Sequence, residues 1–128
     1  MDSLRGVGAL LGRIMMAYIF VSAGIEKIGG PAATMNFMAS GGLPRSLVPE
    51  LFVLSVVVEL VGGLMLAAGW HAELASLIMF LFMIPVTIIF HVSTGQTVEW
   101  EKNLAIMGGL LMVAVLGPGG MSLRRARK

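Results

Sequence analysis

Four long runs of apolar residues, separated by links that are polar or rich in glycine and proline, make up most of the chain. They cover about 7–28, 47–69, 72–91 and 103–119. Each run approaches the length of about 20 residues that an α-helix needs to cross the hydrocarbon core of a bilayer. None alternates like an outer-membrane strand, and a lipid-facing backbone must satisfy its own hydrogen bonds. The pattern therefore predicts an all-α membrane protein with four transmembrane helices in an antiparallel bundle.

Basic residues near the ends of these runs predict their orientation. The tail at 120–128 ends in LRRARK, and cytoplasmic segments of membrane proteins carry an excess of lysine and arginine. With four spans, the N-terminus, which carries Arg5, lies on the same side of the membrane as this tail. We therefore expect both termini in the cytoplasm and the links at about 29–46 and 92–102 on the outer side.

Composition supports a membrane setting and excludes several functional classes. Of the 128 residues, 57% are hydrophobic and 12% are charged, whereas a soluble domain carries about 25% charged residues. The net charge is only +2, so no spread basic face for nucleic acid is expected. Because the chain has no cysteine, thiolate catalysis and cysteine-ligated clusters are excluded. No phosphate loop, nucleotide fingerprint or other intrinsic catalytic motif is present, which leaves enzymatic activity an open question.

A polar stripe lies along the first predicted helix. At about 100° per residue, Arg13, Gly24 and Lys27 fall within about 60° of one another, whereas Glu26 falls well off this stripe. The stripe is expected to face the other helices. Gly24 would let a neighbouring helix pack closely against it.

The second predicted helix carries Glu59 near its middle, with Gly62 and Gly63 on the same face. The rise of about 1.5 Å per residue places Arg13 and Glu59 within about 5–8 Å of each other in depth. A charge at the bilayer centre costs about 3 kcal/mol, and a partner offsets much of that cost. We therefore predict a buried Arg13–Glu59 ion pair. Two interpretations of the pair stay open: a structural pair that fixes helix register, and a proton or quinone site.

A second polar cluster is predicted near the outer ends of the helices. His91 closes the third predicted helix, and Asn103 is expected to cap the fourth. Together with Lys27, His91 would bind an anionic headgroup or a quinone carbonyl, and interfacial anchoring of Lys27 is the alternative. No metal site is predicted, because His71 lies at the opposite end from His91 and the methionines of MNFM are expected to fill apolar space.

The order of these features resembles the DoxX family of small four-helix bacterial inner-membrane proteins. The resemblance covers about 11–123 and rests on RIMMAYIFVSAGIEKIGG, MASGGLP, VVVELVGGLMLAAGW, EKNLAIMGGLLMV and LGPGGMSL. It implies one domain over 1–128 and a multi-pass location in the bacterial inner (cytoplasmic) membrane. Matched residue by residue, the polar positions of the family fall on Arg13, Lys27, Glu59, His91 and Asn103.

The family is named for a subunit of a thiosulfate:quinone oxidoreductase, and other members look like partners of membrane redox complexes. The resemblance therefore implies an integral inner-membrane subunit or anchor of a redox-linked, quinone-associated oxidoreductase assembly. It implies no covalent cofactor, a quinone as ligand, and the lipid bilayer and a soluble or membrane redox protein as partners. Two alternatives stay open: a quinone-binding protein in its own right, and a small proton-coupled transporter. The transporter would require a homo-oligomer, for which Gly8 and Gly12 offer a face.

Overall fold

The computed structural model describes residues 2–89 and 97–122, and the regular elements of this part of the chain are helices. In order, they are α1 (Asp2–Gly29), α2 (Pro31–Ser40), α3 (Val48–Val57), α4 (Gly63–Ala68), α5 (Ala72–Thr87) and α6 (Thr97–Leu116). A π-helical turn, Val58–Gly62, joins α3 to α4. Val48–Ala68 is therefore one continuous helix, called the α3–α4 helix below.

Among the described helices, two are long and apolar enough to cross a membrane. They are Ser3–Gly29, with 27 residues, and Val48–Ala68, with 21 residues. The apolar helix α5 has 16 residues, which is shorter than a typical span of about 20 residues. Helix α6 has 20 residues, but its first two turns carry three charged side chains. The predicted all-helical fold is thus confirmed, with membrane-length helices at the first two predicted spans.

The predicted helix boundaries hold best where glycine or proline ends an apolar run. The α3–α4 helix ends at Ala68, before Gly69, and α6 ends at Leu116, before Gly117. Both glycines have a positive φ, 74° and 92°, which is the left-handed conformation that commonly closes a helix. The predicted terminator after the fourth run is therefore confirmed.

The predicted start of the last helix is wrong. Helix α6 begins at Thr97 rather than at Asn103, so Asn103 is no N-cap and lies buried in the second turn. Glu99 lies in the first turn of α6, where a carboxylate favours the positive end of the helix dipole. The link after α1 also contains a helix, α2, which starts with Pro31 at a position where its missing N–H costs nothing.

The core forms where α1 packs along the α3–α4 helix and α5 packs on α6. A second, smaller cluster joins Met38 of α2 to Val48, at the start of α3. Helix α2 is thereby held against the beginning of the α3–α4 helix. The buried residues of the main core are Ala17, Phe20, Leu66, Met79, Met83 and Leu110.

The glycines that were predicted to allow helix packing lie at close helix contacts. A Cβ atom at Gly24 would lie 2.7 Å from Cγ of Leu60. A Cβ atom at Gly62 would lie 2.8 Å from Sδ of Met79. The α3–α4 helix is therefore approached closely on two sides, by α1 at Gly24 and by α5 at Gly62.

Replacement of Gly63 by alanine is expected to destabilise the contact between α1 and the α3–α4 helix. The new Cβ atom would lie 2.8 Å from Cγ2 of Val21 and 3.5 Å from the carbonyl oxygen of Ala17. Since such overpacking costs about 1–3 kcal/mol, the thermal unfolding temperature in detergent should fall. Gly108→Ala, on α6 with no atom within 4 Å, is the control and should be neutral or stabilising. An equal loss in both variants would contradict this packing.

Candidate functional site

The main polar contact inside the helices joins Lys27 to Glu59. Nζ of Lys27 donates to both carboxylate oxygens of Glu59, each at 2.9 Å. The side chains are 23% and 9% exposed, respectively. Lys27 lies in the last turn of α1, and Glu59 lies in the π-helical turn. The carboxylate is therefore held inside the protein by a lysine from the neighbouring helix.

The predicted ion pair between Arg13 and Glu59 is wrong. Glu59 lies at the same depth as Lys27, and Lys27 is two residues before the end of α1. Glu59 is, however, 11 residues after Val48, where α3 begins. At 1.5 Å per residue, the α3–α4 helix thus begins about 13 Å beyond the end of α1. The prediction assumed that both helices begin at the same depth. Helix α2 lies between the two helices in the chain and forms part of the segment that spans this offset.

Arg13 instead binds backbone carbonyl groups at the opposite end of the α3–α4 helix. Its Nη1 donates to the carbonyl oxygens of Leu66 and Ala67, at 3.1 and 2.9 Å, and its Nη2 donates to that of Met121. The last carbonyls of a helix have no partner within the helix. A cation there is also favoured by the helix dipole. Arg13 is therefore a buried cap that fixes the segment after α6 to this helix end.

A π-helical turn surrounds Glu59 inside the α3–α4 helix. Such turns are rare and occur frequently at functional sites. Here α1 crosses the turn closely, since a Cβ atom at Gly24 would lie 3.5 Å from Cβ of Glu59. No local signal in the sequence predicts this turn. It places a paired carboxylate on a locally widened helix.

A partly open cavity of about 640 Å³ lies beside the Lys27–Glu59 pair. Small-molecule sites commonly have volumes of about 300–1,000 Å³ and mostly apolar walls. The charged residues that line it, within the described part of the chain, are Glu26, Lys27 and Glu59. The cavity therefore combines an apolar wall with one polar region. Its apolar wall includes Ala23, Ala33, Phe37, Leu51, Phe82 and Val86.

Arg13 and Asn103 are not among the described residues that line this cavity. Nδ2 of Asn103 donates to Oγ1 of Thr87 at 3.2 Å, and both side chains are buried between α5 and α6. His91 lies outside the described residues. Of the predicted polar residues, the structure thus brings Lys27 and Glu59 together and places Arg13 and Asn103 in separate contacts. Among the described residues, no group of three or more His, Cys, Asp or Glu could hold a metal ion.

These helices and this cavity define a small helical membrane protein with a polar pair at an apolar pocket. The chain belongs to the DoxX family, whose family model matches residues 8–92. The predicted family resemblance is confirmed.

Two curated proteins of Escherichia coli (strain K12) are similar to this chain along nearly its whole length. Inner membrane protein YqjF is 34% identical over 128 residues, which cover 98% of this chain and 95% of YqjF. Inner membrane protein YphA is 29% identical over 129 residues, which cover 94% of this chain and 91% of YphA. No solved structure matches the chain.

Proposed function

We propose that this chain is a multi-pass protein of the bacterial inner membrane that binds a lipophilic molecule with a polar head in the cavity. In this proposal the ligand is of the quinone class, and the chain acts as the membrane component of a redox-linked assembly. The inner-membrane location rests on the two relatives, both of which are named as inner membrane proteins. The quinone class rests on the resemblance to the DoxX family together with the donor that the cavity offers.

The observation that carries the proposal is the apolar cavity with the Lys27–Glu59 pair in its wall. An apolar pocket with a few convergent polar groups is the usual form of a small-molecule site. An ammonium group has three N–H donors, and Glu59 takes two of those of Lys27. The remaining donor suits a carbonyl oxygen such as that of a quinone.

The proposed membrane arrangement has four spans with both termini in the cytoplasm. α1 and the α3–α4 helix supply two membrane-length helices, and the mutually packed α5 and α6 would supply the others. The basic tail at 120–128 favours the cytoplasmic side for the C-terminus. The cavity then lies in the outer half of the membrane, and Arg13 lies in the inner half.

The cavity favours ligand binding over a pure anchoring role and over the proton-coupled transporter that the sequence leaves open. A pure anchor for a redox partner needs no pocket. A proton-coupled transporter would use Glu59 as its carrier, but both oxygens of Glu59 accept hydrogen bonds from Lys27. A ligand-binding role requires no change in the Lys27–Glu59 pair or in the cavity.

Filling the cavity should strongly weaken binding of a short-tailed quinone. Ala32 and Ala33 are both exposed on α2, but of the two only Ala33 lines the cavity. Because a tryptophan at Ala33 occupies ligand volume, Ala33→Trp should weaken binding of decyl-substituted benzoquinone by at least about tenfold. Binding to the protein in nanodiscs is measured by native mass spectrometry, with Ala32→Trp as the matched control. Equal binding by all three proteins, or binding by none, would contradict the proposed function.

A further inference from the structure

We infer that the cavity selects lipophiles with an uncharged, oxygen-bearing head over lipophiles with an anionic head. This inference rests on the proposed function, because it names the chemistry of the ligand that the same cavity takes. It follows from the hydrogen bonds and the charge balance around Lys27 and Glu59.

Lys27 offers a hydrogen-bond donor without offering an unpaired positive charge. Two of its three N–H groups point to the carboxylate oxygens of Glu59 at 2.9 Å. The positive charge of Lys27 is thus already balanced at contact distance. A neutral carbonyl oxygen can accept the third N–H while the ion pair stays intact.

Glu59 adds the complementary acceptor. A carboxylate oxygen can accept more than one hydrogen bond, and each oxygen of Glu59 accepts one from Lys27. A hydroxyl group on a ligand can therefore donate to Glu59 without displacing Lys27. The pair can hold a carbonyl head and a hydroxyl head in the same place.

The charges that line the cavity disfavour an anion. Glu26, Lys27 and Glu59 give the described lining one net negative charge. An anionic head would approach Lys27 only by competing with Glu59. If the anionic head displaced Glu59 from Lys27, Glu59 would be buried without its partner, which is strongly unfavourable. In the low-dielectric surroundings of the cavity, repulsion from Glu59 is also stronger than it would be in water.

Binding of two ten-carbon compounds, one an alcohol and one a carboxylate, tests this inference. The probes are 1-decanol, which is neutral, and decanoate, which is ionised at pH 8. Each is titrated into the protein in nanodiscs, and the binding that persists in Ala33→Trp is subtracted as binding outside the cavity. Wild-type protein should bind decanol at least about tenfold more tightly than decanoate, because only the acid must break the ion pair.

Glu59→Gln should largely remove this preference by releasing the charge of Lys27. Decanoate affinity should rise by about tenfold, since a charge-assisted hydrogen bond to Lys27 becomes available. Glu26→Gln leaves the Lys27–Glu59 pair intact and should raise decanoate affinity by about threefold through the change in charge alone. This variant replaces Glu59→Gln in the test if Glu59→Gln does not fold. Glu101→Gln makes the same change on the exposed face of α6, outside the cavity, and should change neither affinity.

The outcomes separate this inference from the proposed function. Decanoate binding as tightly as decanol in the wild type, or unchanged affinities in Glu26→Gln and Glu59→Gln, would overturn the selection of neutral heads and leave a binding cavity. If neither decyl-substituted benzoquinone nor decanol binds in a way that Ala33→Trp abolishes, the proposed function and the inference both fail.

Discussion

Arg13→Met is expected to lower the free energy of unfolding by about 2–4 kcal/mol, because hydrogen bonds from a charged donor contribute about 1.5–3 kcal/mol each. The Arg13 residue is 1% exposed, and its guanidinium donates to three carbonyl oxygens. Leu66 keeps a second donor, the N–H of Gly69. The carbonyls of Ala67 and Met121 would lose the donor that Arg13 provides.

Two further substitutions make the measurement specific to the cap. Arg5→Met removes an exposed arginine from the same helix and should change stability by less than about 0.5 kcal/mol. Arg13→Lys keeps the charge but not the planar guanidinium group with its several donors, so it should restore only part of the stability that Arg13→Met loses. Unfolding is followed by thermal denaturation in mild detergent. Equal stability of Arg13→Met and Arg5→Met would show that Arg13 does not fix the helix end.

Separating Lys27 from Glu59 should have an effect of similar size. Lys27→Met leaves Glu59, which is 9% exposed, buried without its cation, at a cost of about 3 kcal/mol. Glu59→Leu should cost less, because the more exposed Lys27 can extend its ammonium group towards water. The double variant should lose less than the sum of the two single losses, with a coupling energy of about 1–3 kcal/mol.

A second double-variant cycle serves as the control for this pair. Arg13 bonds to backbone at the far end of the α3–α4 helix, so Arg13→Met and Glu59→Leu share no contact. Their losses should add to within about 0.5 kcal/mol. Coupling between Arg13 and Glu59 together with additivity between Lys27 and Glu59 would restore the pairing that the sequence predicted.

Arg13 and Lys27 of α1 serve different purposes. Arg13 is enclosed, and among the described residues its guanidinium donates to backbone oxygens, which suits a fixed helix junction. Lys27 is partly exposed, bonds to a side chain and lines the cavity. The same helix therefore joins the elements at Arg13 and, in the proposed function, presents a donor to the ligand at Lys27.

Those parts of the fold that depend on local sequence could be predicted. Membrane-length apolar helices are recognised from composition alone, and Gly69 and Gly117 mark helix ends because each adopts a left-handed conformation. The start of α6 was missed because its first turns are polar, and hydropathy does not distinguish a polar helical turn from a loop. The early start at Thr97 is consistent with Glu99 in the first turn, near the positive end of the helix dipole.

The candidate site was only partly predictable because it depends on helix register. Lys27 and Glu59 stand out as ionisable residues in apolar runs, but which of Arg13 and Lys27 faces Glu59 depends on how far one helix slides past the other. That offset involves α2, which lies in a segment where glycine and proline predict a link between helices. One signal for the Arg13 contact was present: LAAGW ends the second apolar run, and a helix C-terminus attracts a cation.

Mass spectrometry of the lipophilic molecules that co-purify with the mildly solubilised protein tests the central claim most directly. Wild type, Ala32→Trp and Ala33→Trp are extracted and compared side by side. The cavity predicts about one molecule of a single neutral lipophile per chain in wild type and Ala32→Trp, and its loss in Ala33→Trp. The same mixture of membrane phospholipids in all three proteins, with nothing lost from Ala33→Trp, would contradict the claim that the cavity holds a ligand.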